Sequence, residues 1–215
     1  MTVPCNCCPV SPDGCFEAVT QVPFQSVGNI VNPGGLSIVN LASTIDGTLG
    51  SDLSGFSGPA TAAQLAANPT TSWDYVFALP VNDLVRLLWA NGGGGVLTDQ
   101  DGFGLVTFTF LDPANVVITQ ITHNMTAPAG NNAVIRTVAF PPIANVKTIR
   151  VSNFTKQNNG VMGTGSPLLR QIQAFTRTVK PVFPCRLPNG TIHFYDGTGA
   201  EVAASQVVTC ESGPQ

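Results

Sequence analysis

Charge is what this sequence has least of. Only 10% of its 215 residues are Asp, Glu, Lys or Arg, against about 25% in an ordinary soluble domain. Lysine occurs three times, at Lys147, Lys156 and Lys180. Nine basic residues and a net charge of −3 cannot supply the cationic stripe that phosphate contacts demand, so no nucleic-acid partner is expected. No apolar run approaches the ~20 residues of a membrane helix, so no membrane insertion is expected either. Cysteine is missing from the whole middle of the chain: 169 residues separate Cys15 from Cys185 without one. Met1-Thr2-Val3-Pro4 lacks the basic start and apolar stretch of a secretory signal. Intrinsic disorder needs few apolar groups and much charge, and 43% hydrophobic residues with so little charge is the opposite.

What is present is glycine (22) and proline (17), with Asn, Thr and Ser in the polar positions. The length suits one good core plus a small appendage. A surface this neutral is poorly soluble if left bare. Either identical neighbours cover much of it, or Thr and Asn do the solvating on an extracellular protein.

Three regions follow from cysteine placement. Residues 1–15 form a Cys/Pro/Gly arm without periodicity, residues 16–180 a self-sufficient body, and residues 181–215 a Cys-bounded tail. The body reads as strands over 16–24, 75–79, 84–90, 105–111, 116–122, 134–140, 146–153 and 168–176. In 105–111, Val106, Phe108 and Phe110 point one way and Thr107 and Thr109 the other, which predicts a half-buried strand. Asp112-Pro113-Ala114-Asn115 and Pro141-Pro142 mark turns. The only helical pattern is 59–67, Ala-rich and stopped by Asn68-Pro69. Gly92 to Gly95 precede no helix, so they do not read as a phosphate cradle. Short strands with turn signals every ten residues or so predict an all-β sandwich or jelly roll.

Catalytic patterns are missing. His123 and His193 stand alone, and no G-x-S-x-G, H-E-x-x-H or paired-Glu arrangement occurs. Asp74 and Asp83 are unmarked by any motif. The chain is not expected to be an enzyme. In the tail, residues 191–195 and 201–208 read as two strands about Asp196-Gly197-Thr198-Gly199, a hairpin signal. A bridge between Cys185 and Cys210 would staple the outer ends of that hairpin and contribute about 3 kcal/mol; the alternative is two thiols. Four thiols at Cys5, Cys7, Cys8 and Cys15 could hold zinc, but the run Cys-x-Cys-Cys is not the pairing of zinc ribbons and fingers, so zinc is the lesser alternative. Cys7 and Cys8 do not readily bridge each other, so some of the four are expected to pair across subunits. Of the aromatics, Trp89 lies in an apolar strand and reads as core. Trp73 sits at a loop exit and is the candidate for stacking on a sugar.

From residue 82 to 175 the order of features resembles the galactose-binding-like jelly roll. Leu84-Val85-Arg86-Leu87-Leu88-Trp89-Ala90-Asn91-Gly92-Gly93 is similar to its strand ending "WNQGG". Asp99-Gln100-Asp101-Gly102-Phe103-Gly104 is similar to a "DxDGFG" loop, and Thr107 to Ala114 to "EFYDAAG". Val146 to Asn153 resembles "ARVRVSN", and Leu169 to Phe175 resembles "LREIQAF". The resemblance covers under half of the chain and implies a sandwich of about eight strands. It also strengthens an expectation of structural calcium at Asp99 and Asp101, whose alternative is a plain Asx turn. The segment 184–199 resembles small Cys-bounded β units of phage structural proteins.

Fold alone does not settle function. The first expectation is a non-enzymatic structural subunit of a tailed-phage virion: head decoration, neck or collar sheath, or tail appendage. It would assemble in the host cytoplasm and oxidise after lysis. Its partners would be identical subunits and other virion proteins. The alternative is a carbohydrate-binding or adhesion module of a phage fibre or bacterial surface, with cell-surface glycans as partners. A weaker third reading is a subunit of a bacterial surface filament.

Overall fold

The computed structural model describes residues 14–46, 54–57, 61–91, 102–126, 134–156, 167–187, 189–196, 198–204 and 207–208. In chain order come β1 (Gly14–Val22), β2 (Phe24–Val31), β3 (Ser37–Val39), a 3₁₀ turn (Leu41–Ile45), β4 (Ser54–Ser57) and α1 (Ala62–Ala67). Then follow β5 (Ser72–Val81), β6 (Leu84–Asn91), β7 (Leu105–Leu111), β8 (Val117–Asn124), β9 (Val134–Ile143) and β10 (Val146–Ser152). Last are β11 (Leu168–Arg186), β12 (Ile192–Tyr195), β13 (Glu201–Val202) and β14 (Val207–Val208). No helix of the described residues is long and apolar enough to cross a membrane.

The chain divides into two compact units: Gln21–Thr176, and Met1–Thr20 with Arg177–Gln215. The larger unit is the β-sandwich that composition and the resemblance imply. One antiparallel sheet has the order β2–β5–β10–β7–β8. The other runs β3–β4–β11–β6–β9, also antiparallel. Period-2 alternation decides what lies between them. Trp73, Tyr75, Phe108, Phe110, Ile149 and Val151 point inward from the first sheet, and Leu87, Trp89, Ile172 and Ala174 from the second. The rings meet across the gap: Trp89 lies edge-on to Phe108 at 5.6 Å and to Phe103 at 5.4 Å. Rings at such spacing contribute about 0.5–1.5 kcal/mol per pair beyond their buried area.

Turns are built on Asn and Asp where φ turns positive. Asp83 (φ 53°) closes the β5–β6 turn, Asn115 (φ 63°) the β7–β8 turn and Asn145 (φ 60°) the β9–β10 turn. Short polar side chains tolerate the left-handed region and bond their own backbone. Asp112 does so, accepting from the N–H of Ala114 and of Val116, each at 2.8 Å. The helix expected over 59–67 is one turn and a half, Ala62–Ala67, opened by a reciprocal cap between Thr61 and Gln64.

Three expectations need correction. The strand expected over 16–24 is two strands, β1 and β2, parted at Pro23, because proline has no N–H to offer a ladder. Thr107 and Thr109 do lie on the outer face of β7, yet both are buried. β7 is flanked by β10 and β8, and Thr122 and Gln120 bond the two hydroxyls at 2.9 and 2.7 Å. The strand expected over 201–208 is also split: β13 pairs with β12, while β14 pairs with β1, Val208 opposite Cys15.

In the smaller unit the strand order is β13–β12–β11–β1–β14. The expected hairpin signal turns β12 into β13. Asp196 Oδ1 accepts from Thr198 Oγ1 (2.6 Å) and from the N–H groups of Thr198 and Ala200 (each 2.9 Å). These bonds, that from the Thr198 hydroxyl foremost, hold the Asp196 carboxyl below its ordinary range.

Candidate functional site

The outer face of the five-stranded sheet β2–β5–β10–β7–β8 carries one continuous polar row. Register places Gly28 opposite Asp74, Asp74 opposite Arg150, Arg150 opposite Thr109 and Thr109 opposite Gln120. Each of these residues neighbours core residues in sequence, so the pleat turns it outward. Asp74 anchors the row. Arg150 Nε donates to Asp74 Oδ1 at 2.8 Å and Arg150 Nη2 to Oδ2 at 2.9 Å. Asn29 Nδ2 donates to Oδ2 at 2.6 Å. Asn29 reaches it because β2 slips register between Gly28 and Val31 and Asn29 takes φ 47°.

The pair is lopsided in exposure. Asp74's side chain is 7% exposed and Arg150's is 35%. The carboxylate is therefore an interior counter-charge that holds the guanidinium plane, and the remaining N–H groups of Arg150 face outward. The bonds from Asp74 raise the Arg150 pKa further above its already high ordinary value, so the group stays cationic.

Beside the row lies a groove of about 390 Å³, the size of a small-ligand site. Thr70, Ser72, Thr109 and Ser152 bring hydroxyls, Asn115 and Gln120 amides, and Arg150 its guanidinium, while Val31, Pro69, Leu111 and Val117 supply apolar wall. Hydroxyls and amides both donate and accept, and the single cation is balanced from beneath by Asp74. This suits a neutral ligand rich in hydroxyl groups. Among the described residues that line the groove there is no histidine or carboxylate.

Trp73 is not part of any such site. It has no exposed surface and stacks on Phe154 at 4.5 Å within the core. The loop exit at residues 69–72 leads straight into β5, and alternation turns Trp73 inward and Asp74 outward. Trp89 is buried as expected. Cys185 is buried on β11 opposite His193. Cys15 lies on β1. Cys5, Cys7, Cys8, Cys210, Asp99 and Asp101 lie outside the described residues. Among the described residues no group of three or more His, Cys, Asp and Glu could hold a metal. Sequence reading named Asp74 but found no motif to mark it, and it passed over Arg150, Asn29 and Gln120 as site residues. A lone carboxylate in an otherwise neutral strand, Ser72-Trp73-Asp74-Tyr75, was the available signal.

Fold and groove together define a class: an all-β, two-sheet sandwich with a polar groove on one outer face. No family profile and no curated protein matches the sequence. Solved structures do resemble it. The lectin binding domain of Lectinolysin (His 62 mutant, complexed with Lewis b) is 12% identical, covering 77% of this chain and 96% of that one with a TM-score of 0.41. The family 32 CBM from C. perfringens NanJ, in complex with galactose, is 12% identical over 75% and 98% with a TM-score of 0.41. An F5/8 type C domain from Bacteroides fragilis is 15% identical over 69% and 96% with a TM-score of 0.42. These likenesses are distant in sequence and partial in superposition.

Proposed function

We propose that this chain is a non-catalytic carbohydrate-binding module whose ligand lies in the groove above Asp74 and Arg150. The carrying observation is a guanidinium fixed by a buried carboxylate amid four hydroxyls and two amides. Vicinal hydroxyls of a sugar present donors and acceptors at the spacing such groups can meet. The described lining residues offer hydrogen-bonding groups and no aromatic, and the favoured ligand is a neutral glycan held along the sheet by hydrogen bonds. Cell-surface glycans are partners of this kind.

A glycan array with the intact protein tests the reading, Gln120→Ala and Ser152→Ala serving as probes. Retention of a defined glycan is expected, with each substitution weakening it about tenfold, the worth of one good hydrogen bond. Failure to retain any glycan, or retention indifferent to both substitutions, would overturn it. Trp73→Ala cannot serve as a probe, because Trp73 is fully buried and its loss would leave a cavity in the core.

A second reading, a structural subunit of a tailed-phage virion held by its Cys-rich arm, is supported by the scarce charge and the terminal cysteines. It places the protein on an extracellular particle among identical copies and other virion proteins. Calcium at Asp99 and Asp101 belongs to the same set of proposals. A melting temperature lowered in chelator supports it, and an unchanged one opposes it.

A further inference from the structure

Among the described residues the edge strands of the sandwich are β2 and β8 on one sheet and β3 and β9 on the other. An edge exposes unpaired N–H and C=O groups, and folded proteins usually guard it with brevity, proline, charge or a bulge. β3 is three residues long. β9 carries Pro141 and Pro142. β2 slips register twice and takes a positive φ at Asn29. β8 slips once, at its start, and then Thr119 to Asn124 run in unbroken register with β7. Those six residues, Thr119-Gln120-Ile121-Thr122-His123-Asn124, contain no Lys, Arg, Asp, Glu or Pro. Next to them the extra residue Ile118 opens an apolar groove of about 380 Å³ against Phe140, Pro141 and Ile143. Val116 is 60% exposed and Ile118 40%.

We infer that β8 is the docking edge for a second copy of this chain, pairing antiparallel with the partner's β8 about a two-fold axis. Charge complementarity selects the occupant. In an isologous contact each residue meets its own kind or a near neighbour, so any charge on β8 would face a like charge, which destabilises a strand pair. The strand has none of the four charged residue types, and hydroxyls and amides pair with themselves without penalty. A register centred on Ile121 or Thr122 keeps inward residues opposite inward ones and sets the start of each β8, Ile118 included, against the end of the partner's β8 near Asn124. The axis stands perpendicular to the sheet, which turns two five-stranded sheets into one of ten strands. On the reading given above, this sets two polar grooves on one face and makes glycan binding bivalent.

Analytical ultracentrifugation of the whole protein in reducing buffer, which removes any contribution from cysteine, tests the pairing without any sugar. The wild type is expected to sediment as a dimer, with Thr122→Lys and Ile118→Lys each raising the dimer dissociation constant about tenfold or more. Ile30→Lys, on the β2 edge, is expected to remain dimeric. Circular dichroism and melting temperature report whether each variant is folded, and the two β8 variants stand in for one another. A wild type that is monomeric at about 100 μM, or folded β8 variants that dimerise as well as the wild type, would overturn the inference. Dimerisation without glycan retention would leave this pairing standing and remove the carbohydrate reading; glycan retention by a monomer would do the reverse.

Discussion

Asp74 and Arg150 form one ion pair with two unequal members. Removing Arg150 leaves a nearly buried carboxylate with only Asn29 to satisfy it, whereas removing the Asp74 charge leaves a guanidinium that water already reaches. Arg150→Met is expected to cost about 3 kcal/mol in urea denaturation, and Asp74→Asn about 1 kcal/mol. Equal losses would contradict the geometry. Tyr75 gives a second test at this scale. Burial, offset in part by the Thr44 hydroxyl, pushes its phenol from 10.0 up to about 12. The folded pKa lies above the unfolded one, so stability is fully present below pH 10 and falls as pH rises from about 10 to about 12. The loss amounts to about 3 kcal/mol for a shift of that size. Tyr75→Phe should flatten that limb of the pH–stability curve. Gly104 is a third. A Cβ there would stand 2.7 Å from the Lys156 carbonyl oxygen and 2.6 Å from Thr155 Oγ1, so Gly104→Ala is expected to lose about 1–3 kcal/mol, read as a lowered melting temperature.

Single elements show why some of this was legible. β7 and β10 alternate cleanly, and both lie where the pattern put them. The Asp112-Pro113-Ala114-Asn115 turn and the hairpin at Asp196 formed because their side chains close the turn locally. β2, β3 and β4 escaped notice because the apolar residues of Phe24–Val31 do not alternate and the other two are short. Such strands are held by the neighbour they pair with, β5 in the case of β2, and not by their own propensity. α1 is short, six residues opened by one reciprocal cap and anchored by the buried Leu65. Thr61→Ala should destabilise it by about 1 kcal/mol, visible as faster amide exchange over Ala62–Ala67 with the sandwich protected as before.

For the molecule as a whole, cysteine is the open chemistry. β14 pairs with β1 and not with the hairpin, and Val208 faces Cys15. Peptide mapping of the oxidised protein therefore distinguishes a Cys185–Cys210 staple from a link of Cys210 to Cys15. Non-reducing gels reveal whether Cys5, Cys7 or Cys8 join separate copies: bands above the monomer that vanish with reductant are the expected result, and monomer alone would remove the cross-linking arm. The scarcity of charge matters at this scale through β8, whose residues Val117–Asn124 include no Lys, Arg, Asp or Glu, as the inferred pairing of two copies requires.

The sequence by itself determined the all-β class, the main strands of the sandwich and its turns, because alternation and Asn, Asp and Pro chemistry act over a few residues. It determined equally that Trp89 belongs inside. Only the tertiary structure decided that Trp73 does too, and that Asp74, Arg150, Thr109 and Gln120 lie in one row. Those residues are brought together by strand register, which long-range pairing sets, and no local pattern encodes which strand will lie beside which.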